Sequence, residues 1–114
     1  MELKISDRVV DGVLVLDCSG RLVFGDESGM LRDKVKVLIS EGTKKIILNM
    51  RDVSYIDSGG LGTLVGLYSS ARAAGADIKL ANVASRVGQL LQVTKLLTVF
   101  DVKDSVEAAA ASFK

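Results

Sequence analysis

The sequence contains no histidine, no proline and no tryptophan, and only one cysteine, Cys18. Without an imidazole, every mechanism in which a histidine takes the proton of a serine or cysteine nucleophile is excluded within this chain. One cysteine excludes an internal disulfide and a cysteine cluster for a metal. Its place beside the apolar run Val13-Leu14-Val15-Leu16 marks it as a buried thiol rather than a reactive one. With proline absent, the turns fall to glycine, of which there are eleven. No apolar run approaches the roughly 20 residues of a membrane span. Met1 to Asp7 carries charges where a signal peptide needs an apolar stretch, so the cytoplasm is the expected compartment. The net charge is +1, from 15 basic and 14 acidic residues spread along the chain. That balance argues against broad electrostatic binding to nucleic acid or anionic lipid.

What is present suits one folded domain over residues 1–114. Apolar residues make up 48% of the chain, and at this size folding buries roughly 65% of the unfolded surface. Alternating Leu3, Ile5 and Val9, then Asp11-Gly12, then Val13 to Leu16 predict an antiparallel hairpin over 3–10 and 13–19. Gly20 ends the second strand, with Arg21 to Phe24 adding a few extended residues. A helix follows, capped by Asp26 or Ser28, with Leu31, Val35, Leu38 and Ile39 inward and Gly42 as its stop. Ile46 to Met50 reads as a central strand, and Asp52 to Asp57 as a connection. Leu61, Leu64, Val65 and Tyr68 follow the i, i+3, i+4, i+7 pattern and predict a helix closed by Gly75. A strand over 76–82, a short helix capped by Ser85 with Val87, Leu90 and Leu91 inward, and a strand over 97–100 come next. Asp104 with Glu107 forms a capping box for a last helix to about Ala111, with Val106, Ala110 and Phe113 inward. This order predicts an α/β domain with a mixed sheet. Sites in such sheets form at the carboxyl ends of parallel strands.

Asp57-Ser58-Gly59-Gly60-Leu61-Gly62 lies past the end of the central strand. Asp-Ser-Gly-Gly resembles the nucleophile segment of chymotrypsin-like proteases, but the base is missing and no lysine is near in sequence. Gly60, Gly62 and Gly66 lack the spacing of a dinucleotide turn, and no phosphate-loop lysine follows. The plain reading of Ser58 is a helix cap, worth about 1 kcal/mol. Four glycines at a helix start, each costing up to about 1 kcal/mol against alanine, ask for a further reason. Gly62 and Gly66 would let the helix pack close to the sheet. Gly59 and Gly60 would leave the serine open to another protein's active site. A phosphate there would add about −1.5 to −2 charges. The helix start would accept it, Asp57 would partly oppose it, and a partner covering this surface would lose affinity.

With Tyr55-Ile56 in front of it, this segment resembles the STAS domain of bacterial anti-sigma factor antagonists. The likeness takes in the opening hairpin, the helix before the central strand and the strand after Gly75. It implies a single STAS-like α/β domain, a mixed sheet with an N-terminal antiparallel hairpin and helices packed mainly on one face. It implies a non-enzymatic module that, when unphosphorylated, binds an anti-sigma factor that is itself a serine kinase and so frees a sigma factor. Ser58 is then the phosphate acceptor, and a serine phosphatase removes the group. Asp57, Gly59, Gly60, Leu61 and Gly62, with Asp26 and Glu27, make the partner surface. No cofactor belongs to this chain, because ATP and Mg²⁺ belong to the kinase. Two positions depart from the family pattern. Gly59 stands where many members have a second hydroxyl. Gly20-Arg21-Leu22-Val23 stands where members often have Gly-acidic-Leu-Asp. A scaffold or sensing module, in which Ser58 only caps the helix, and a hydrolase using Ser58 are the competing readings.

Overall fold

The computed structural model describes residues 3–83 and 100–113. β1 (Lys4–Val10) and β2 (Val13–Leu22) pair antiparallel. Their link is the expected Asp11-Gly12 turn, with φ of 52° and 78°. Two left-handed residues in succession match the twist of the flanking strands. Then come α1 (Asp26–Ser40), β3 (Lys45–Ile56), α2 (Ser58–Ala73), β4 (Asp77–Ala81), β5 (Asp101–Lys103) and α3 (Val106–Ala111). The described strands form one five-stranded sheet in the order β1-β2-β3-β4-β5, parallel everywhere except at the hairpin. The mixed sheet expected from the element order is therefore present.

Strand periodicity distributes the core between two faces. Leu16, Ile46, Leu48, Met50, Ile78 and Leu80 point to the face covered by α1 and α2, where they meet Leu31, Val35, Leu64 and Leu67. Val13, Val15, Ile47 and Ala81 point to the other, where α3 brings Val106, Ala109 and Ala110. β3 is covered on both sides, which explains why Ile46, Ile47 and Leu48 are buried and apolar in succession. Cys18 is buried in the larger cluster, and burial pushes its thiol up to about 12. Both long helices stop at glycines with positive φ, Gly42 at 95° and Gly75 at 77°. In each, the two amides after the last turn donate back to the helix carbonyls: Gly42 to Ile39 and Thr43 to Leu38, Gly75 to Arg72 and Ala76 to Ala71.

Several sequence expectations need correction. β3 runs on to Ile56, so 52–56 is strand and not connection. Its second half carries exposed Arg51, Asp52, Ser54 and Tyr55, and pairs with Ser19 to Leu22 through register shifts on either side of Gly20. The pairing partner, not local pattern, makes it a strand. Gly20 accordingly does not end β2 but sits at an irregularity with φ of 111°. Helix α1 has no side-chain cap: Asp26 is its first residue, and the Ser28 hydroxyl donates to the Val23 carbonyl at 2.5 Å. The cap of α3 is Ser105, whose hydroxyl accepts from Ala108 at 3.0 Å, one residue later than the Asp104 box predicts. Of the strand expected over 97–100 only Phe100 is described, buried and just outside β5 (Asp101–Lys103); positions 97–99 and the Ser85 helix lie outside the described residues.

One buried charge holds α3 to the sheet. Lys79 on β4 is 6% exposed. Its ammonium donates to the Ser112 hydroxyl at 2.7 Å and the Ser112 carbonyl at 3.1 Å, and pairs with Asp101 at 3.0 Å. It also lies 4.5 Å from the centre of the Phe113 ring. A lysine so placed is tolerated because each of its donors has a partner. Lys79→Ala is expected to lower the unfolding free energy by about 1–3 kcal/mol, and to lift hydrogen-exchange protection first from α3. Urea melts and amide exchange check this; unchanged exchange in α3 would refute it.

Candidate functional site

The carboxyl ends of β2 and β3 meet the start of α2 at one residue, Asp57. Its backbone is extended (φ −106°, ψ −178°), the geometry of a helix N-cap. Its carboxylate accepts from the Gly60 amide at 2.8 Å. It also accepts from the Phe24 amide, at 3.1 Å to one oxygen and 3.2 Å to the other. Its own amide donates to the Leu22 carbonyl at 3.3 Å. One residue therefore ends β3, starts α2 and ties down the loop after β2. These amides, Gly60 first and Phe24 next, hold the Asp57 carboxyl below its ordinary range.

Ser58 is the first residue of α2 and is exposed. The expectation that Ser58 caps the helix is thus overturned: the cap is Asp57, whose carboxylate reaches the Gly60 amide, and Ser58 follows it inside the first turn. What remains at Ser58 is an exposed hydroxyl on a helix start. No acidic residue stands in that first turn.

The glycines divide differently from the sequence reading. A Cβ on Gly60 would collide with the Leu22 carbonyl oxygen, and would lie 3.1 Å from Ile56 Cγ1. A Cβ on Gly59 would lie 2.5 Å from Phe24 Cβ. These two glycines are required because the end of β2 and the β2–α1 loop press on the helix start. Gly62 and Gly66 are exposed, and a side-chain carbon added at either would have nothing within 4 Å, so close packing on the sheet is not their purpose. Leu61 is buried in the larger core cluster, which leaves it a packing role. Asp26 is exposed at the first position of α1, and Glu27 follows in the same turn.

Two residues escaped the sequence reading. Phe24 is 79% exposed although its amide and Cβ are fixed against Asp57 and Gly59. The available signal was an aromatic residue stranded between Val23 and Gly25, outside any apolar period. Arg21 lies with its guanidinium 5.1 Å from the centre of the Tyr55 ring, its partner across the β2–β3 pair. Periodicity in either strand alone does not bring these two together. Among the described residues no helix is long and apolar enough to cross a membrane.

The same architecture recurs in known proteins. A family model described as the STAS domain matches residues 4–109. The anti-sigma-B factor antagonist of Bacillus subtilis is 35% identical over 78 residues, which are 68% of this chain and 71% of that protein. A crystal structure of a Thermotoga maritima protein superposes with a TM-score of 0.86 at 25% identity, over 95% of this chain and 92% of the other. The Bacillus cell fate determinant SpoIIAA, in its phosphorylated form, has the same fold with a TM-score of 0.73 at 21% identity, over 98% and 99%.

Two measurements test the site's construction. Gly60→Ala is expected to cost about 1–3 kcal/mol through forced overlap with β2, whereas Gly62→Ala and Gly66→Ala each stabilise by up to about 1 kcal/mol; urea unfolding of the three variants gives the sign directly. For Asp57 the folded carboxyl titrates below its ordinary value of 3.8. Its contribution is then complete above that value and is lost as the pH falls through the folded pKa. Wild type should exceed Asp57→Asn in stability at neutral pH, and the gap should close in acid below 3.8. A gap that stays constant across that range would remove the carboxylate's role.

Proposed function

The chain belongs to the STAS domain family, and on that premise we propose that it is an anti-sigma factor antagonist switched by a phosphate on Ser58. The observation that carries the reading is the division of labour at the helix start. Capping is done by Asp57, so Ser58 presents an exposed hydroxyl with no capping duty. This favours a serine that is acted upon over a serine that is only structural. It also weakens the scaffold alternative, which rests on Ser58 as a cap.

The physics of the switch follows from where the charge would arrive. A phosphate at the first helical position gains about 0.3–1 kcal/mol from the helix dipole on an exposed surface. Asp57 next to it opposes part of that gain. The net effect on the fold is small, and the elements around the site are fixed by the Leu22, Phe24 and Gly60 contacts. The domain therefore keeps its fold when modified. A bound partner does not share this tolerance, because a doubly charged group inside an interface costs several kcal/mol. Each ~1.4 kcal/mol is tenfold in affinity.

In this reading the partner is an anti-sigma factor with serine kinase activity, and a serine phosphatase resets the switch. ATP and Mg²⁺ are held by the kinase, and the chain itself needs no catalysis. Asp57 positions the serine, Gly59 and Gly60 allow the tight junction that carries it, and Gly62, Asp26 and Glu27 belong to the surface the partner reads. Leu61 supports that surface from the core.

The test is phosphorylation by the cognate kinase with ATP, mapped by mass spectrometry, together with capture of the kinase by three forms of the protein. Phosphate is expected on Ser58. Ser58→Asp should weaken capture by at least about tenfold, and Ser58→Ala should bind whether or not ATP is present, with circular dichroism melts of both close to wild type. Phosphate elsewhere, or capture indifferent to Ser58→Asp, would sink the reading.

A further inference from the structure

A groove of about 540 Å³ opens between α1 and α2, beginning beside Phe24 and Gly59 and reaching Ser70. From Gly59 to Ser70 the helix rises about 16 Å, some three turns. Gly62 and Gly66 give α2 a bare backbone along this line, while on α1 the Arg32 guanidinium lies 3.5 Å from where a Cβ of Gly29 would stand. The fold itself does not call for the bare α2 surface, since a methyl group at either position would meet nothing within 4 Å. At the head of the groove stands Phe24, an aromatic ring left 79% exposed. Along its wall stand Arg32 and Lys36, both exposed, and no acidic residue is among the lining residues whose side chains are described. Among the residues whose side chains are described, Arg32 pairs with its sequence neighbour Asp33 at 3.7 Å, with both side chains more than half exposed. Such a contact leaves the positive potential of the wall essentially intact.

We propose that this groove is a docking surface for an acidic amphipathic helix of a partner protein. The bare α2 backbone at Gly62 and Gly66 admits a third helix at close range, as in helix-in-groove recognition, with the Arg32 guanidinium lying over Gly29 on the facing wall. The exposed Phe24 ring supplies an aromatic anchor at one end. Arg32 and Lys36 select a helix carrying carboxylates on its flank and repel one carrying lysines. The groove starts beside Ser58, so in biological meaning the proposal rests on the partner-switching reading. A phosphate on Ser58 would then place its charge at the mouth of the groove, beside the entering carboxylates.

The test uses the full chain, ¹⁵N-labelled, and a synthetic helical peptide with a leucine face flanked by glutamates. A second peptide has every glutamate replaced by lysine. The acidic peptide is expected to shift the amides of Gly29, Gly62 and Gly66 in a saturable way, with the lysine peptide at least about tenfold weaker. Arg32→Glu combined with Lys36→Glu should weaken the acidic peptide about tenfold or more. Gly62→Leu combined with Gly66→Leu should do the same by filling the groove, with an unchanged circular dichroism spectrum. Shifts confined to another surface, shifts that survive the leucine substitutions, no saturable shift, or equal binding of the two peptides would each overturn the proposal. So would inorganic phosphate alone reproducing the shifts, which would make this an anion site. Because the peptide assay needs no kinase, a groove that binds in a protein never phosphorylated on Ser58 removes the switch and keeps the groove, and the reverse result does the opposite.

Discussion

The carboxylate of Asp57 is the point on which the functional end of this domain depends. It accepts from an amide of α2 and an amide of the β2–α1 loop at once, while its own amide reaches the end of β2. Remove it, and the start of α2 and the β2–α1 loop lose their common acceptor, leaving only the backbone bond to the end of β2. The arrangement is possible in so small a domain because the donors are backbone groups that would otherwise stand unpaired at a helix start and a strand end. The charge is used where it is best tolerated, at the positive end of a helix dipole and close to solvent.

That constraint explains the glycine pair that follows. For one carboxylate to reach both Gly60 and Phe24, the helix start and the loop must lie closer than side chains permit. Gly59 and Gly60 are the consequence: their missing carbons would fall on Phe24 and on the Leu22 carbonyl. Compactness at the junction in turn pushes the Phe24 ring outward and leaves Ser58 on the rim. The exposed features are by-products of a tight backbone joint. Gly62 and Gly66 belong to a different account, since no contact of the fold requires them.

The two faces of the sheet carry different duties. Helices α1 and α2 cover one face with the larger core cluster, and their mutual groove opens near Ser58. Helix α3 covers the other, anchored through Lys79 and its contacts with Ser112, Asp101 and Phe113. A residue held rigidly at the start of α2 can present a small chemical change without transmitting it into the core. That is the physical condition for a modification that alters binding and not stability.

Local rules were enough for the order of the elements among the described residues, the Asp11-Gly12 hairpin, the glycine stops of α1 and α2, the buried state of Cys18 and the position of Ser58 at a strand-to-helix junction. Those rules are apolar period, left-handed backbone at glycine, and the chemistry that a missing histidine forbids. Three features needed contacts between distant segments. The second half of β3 is one, because Arg51 to Tyr55 is extended only through its pairing with β2. The helix cap is another: Asp57 and Ser58 are neighbouring oxygen side chains that compete for the same amides, and the folded backbone chose Asp57. The last is the separation of Gly59 and Gly60 from Gly62 and Gly66. The need for a glycine depends on what stands opposite, and opposite Gly60 stands the carbonyl of Leu22, a residue far earlier in the chain that only folding brings there.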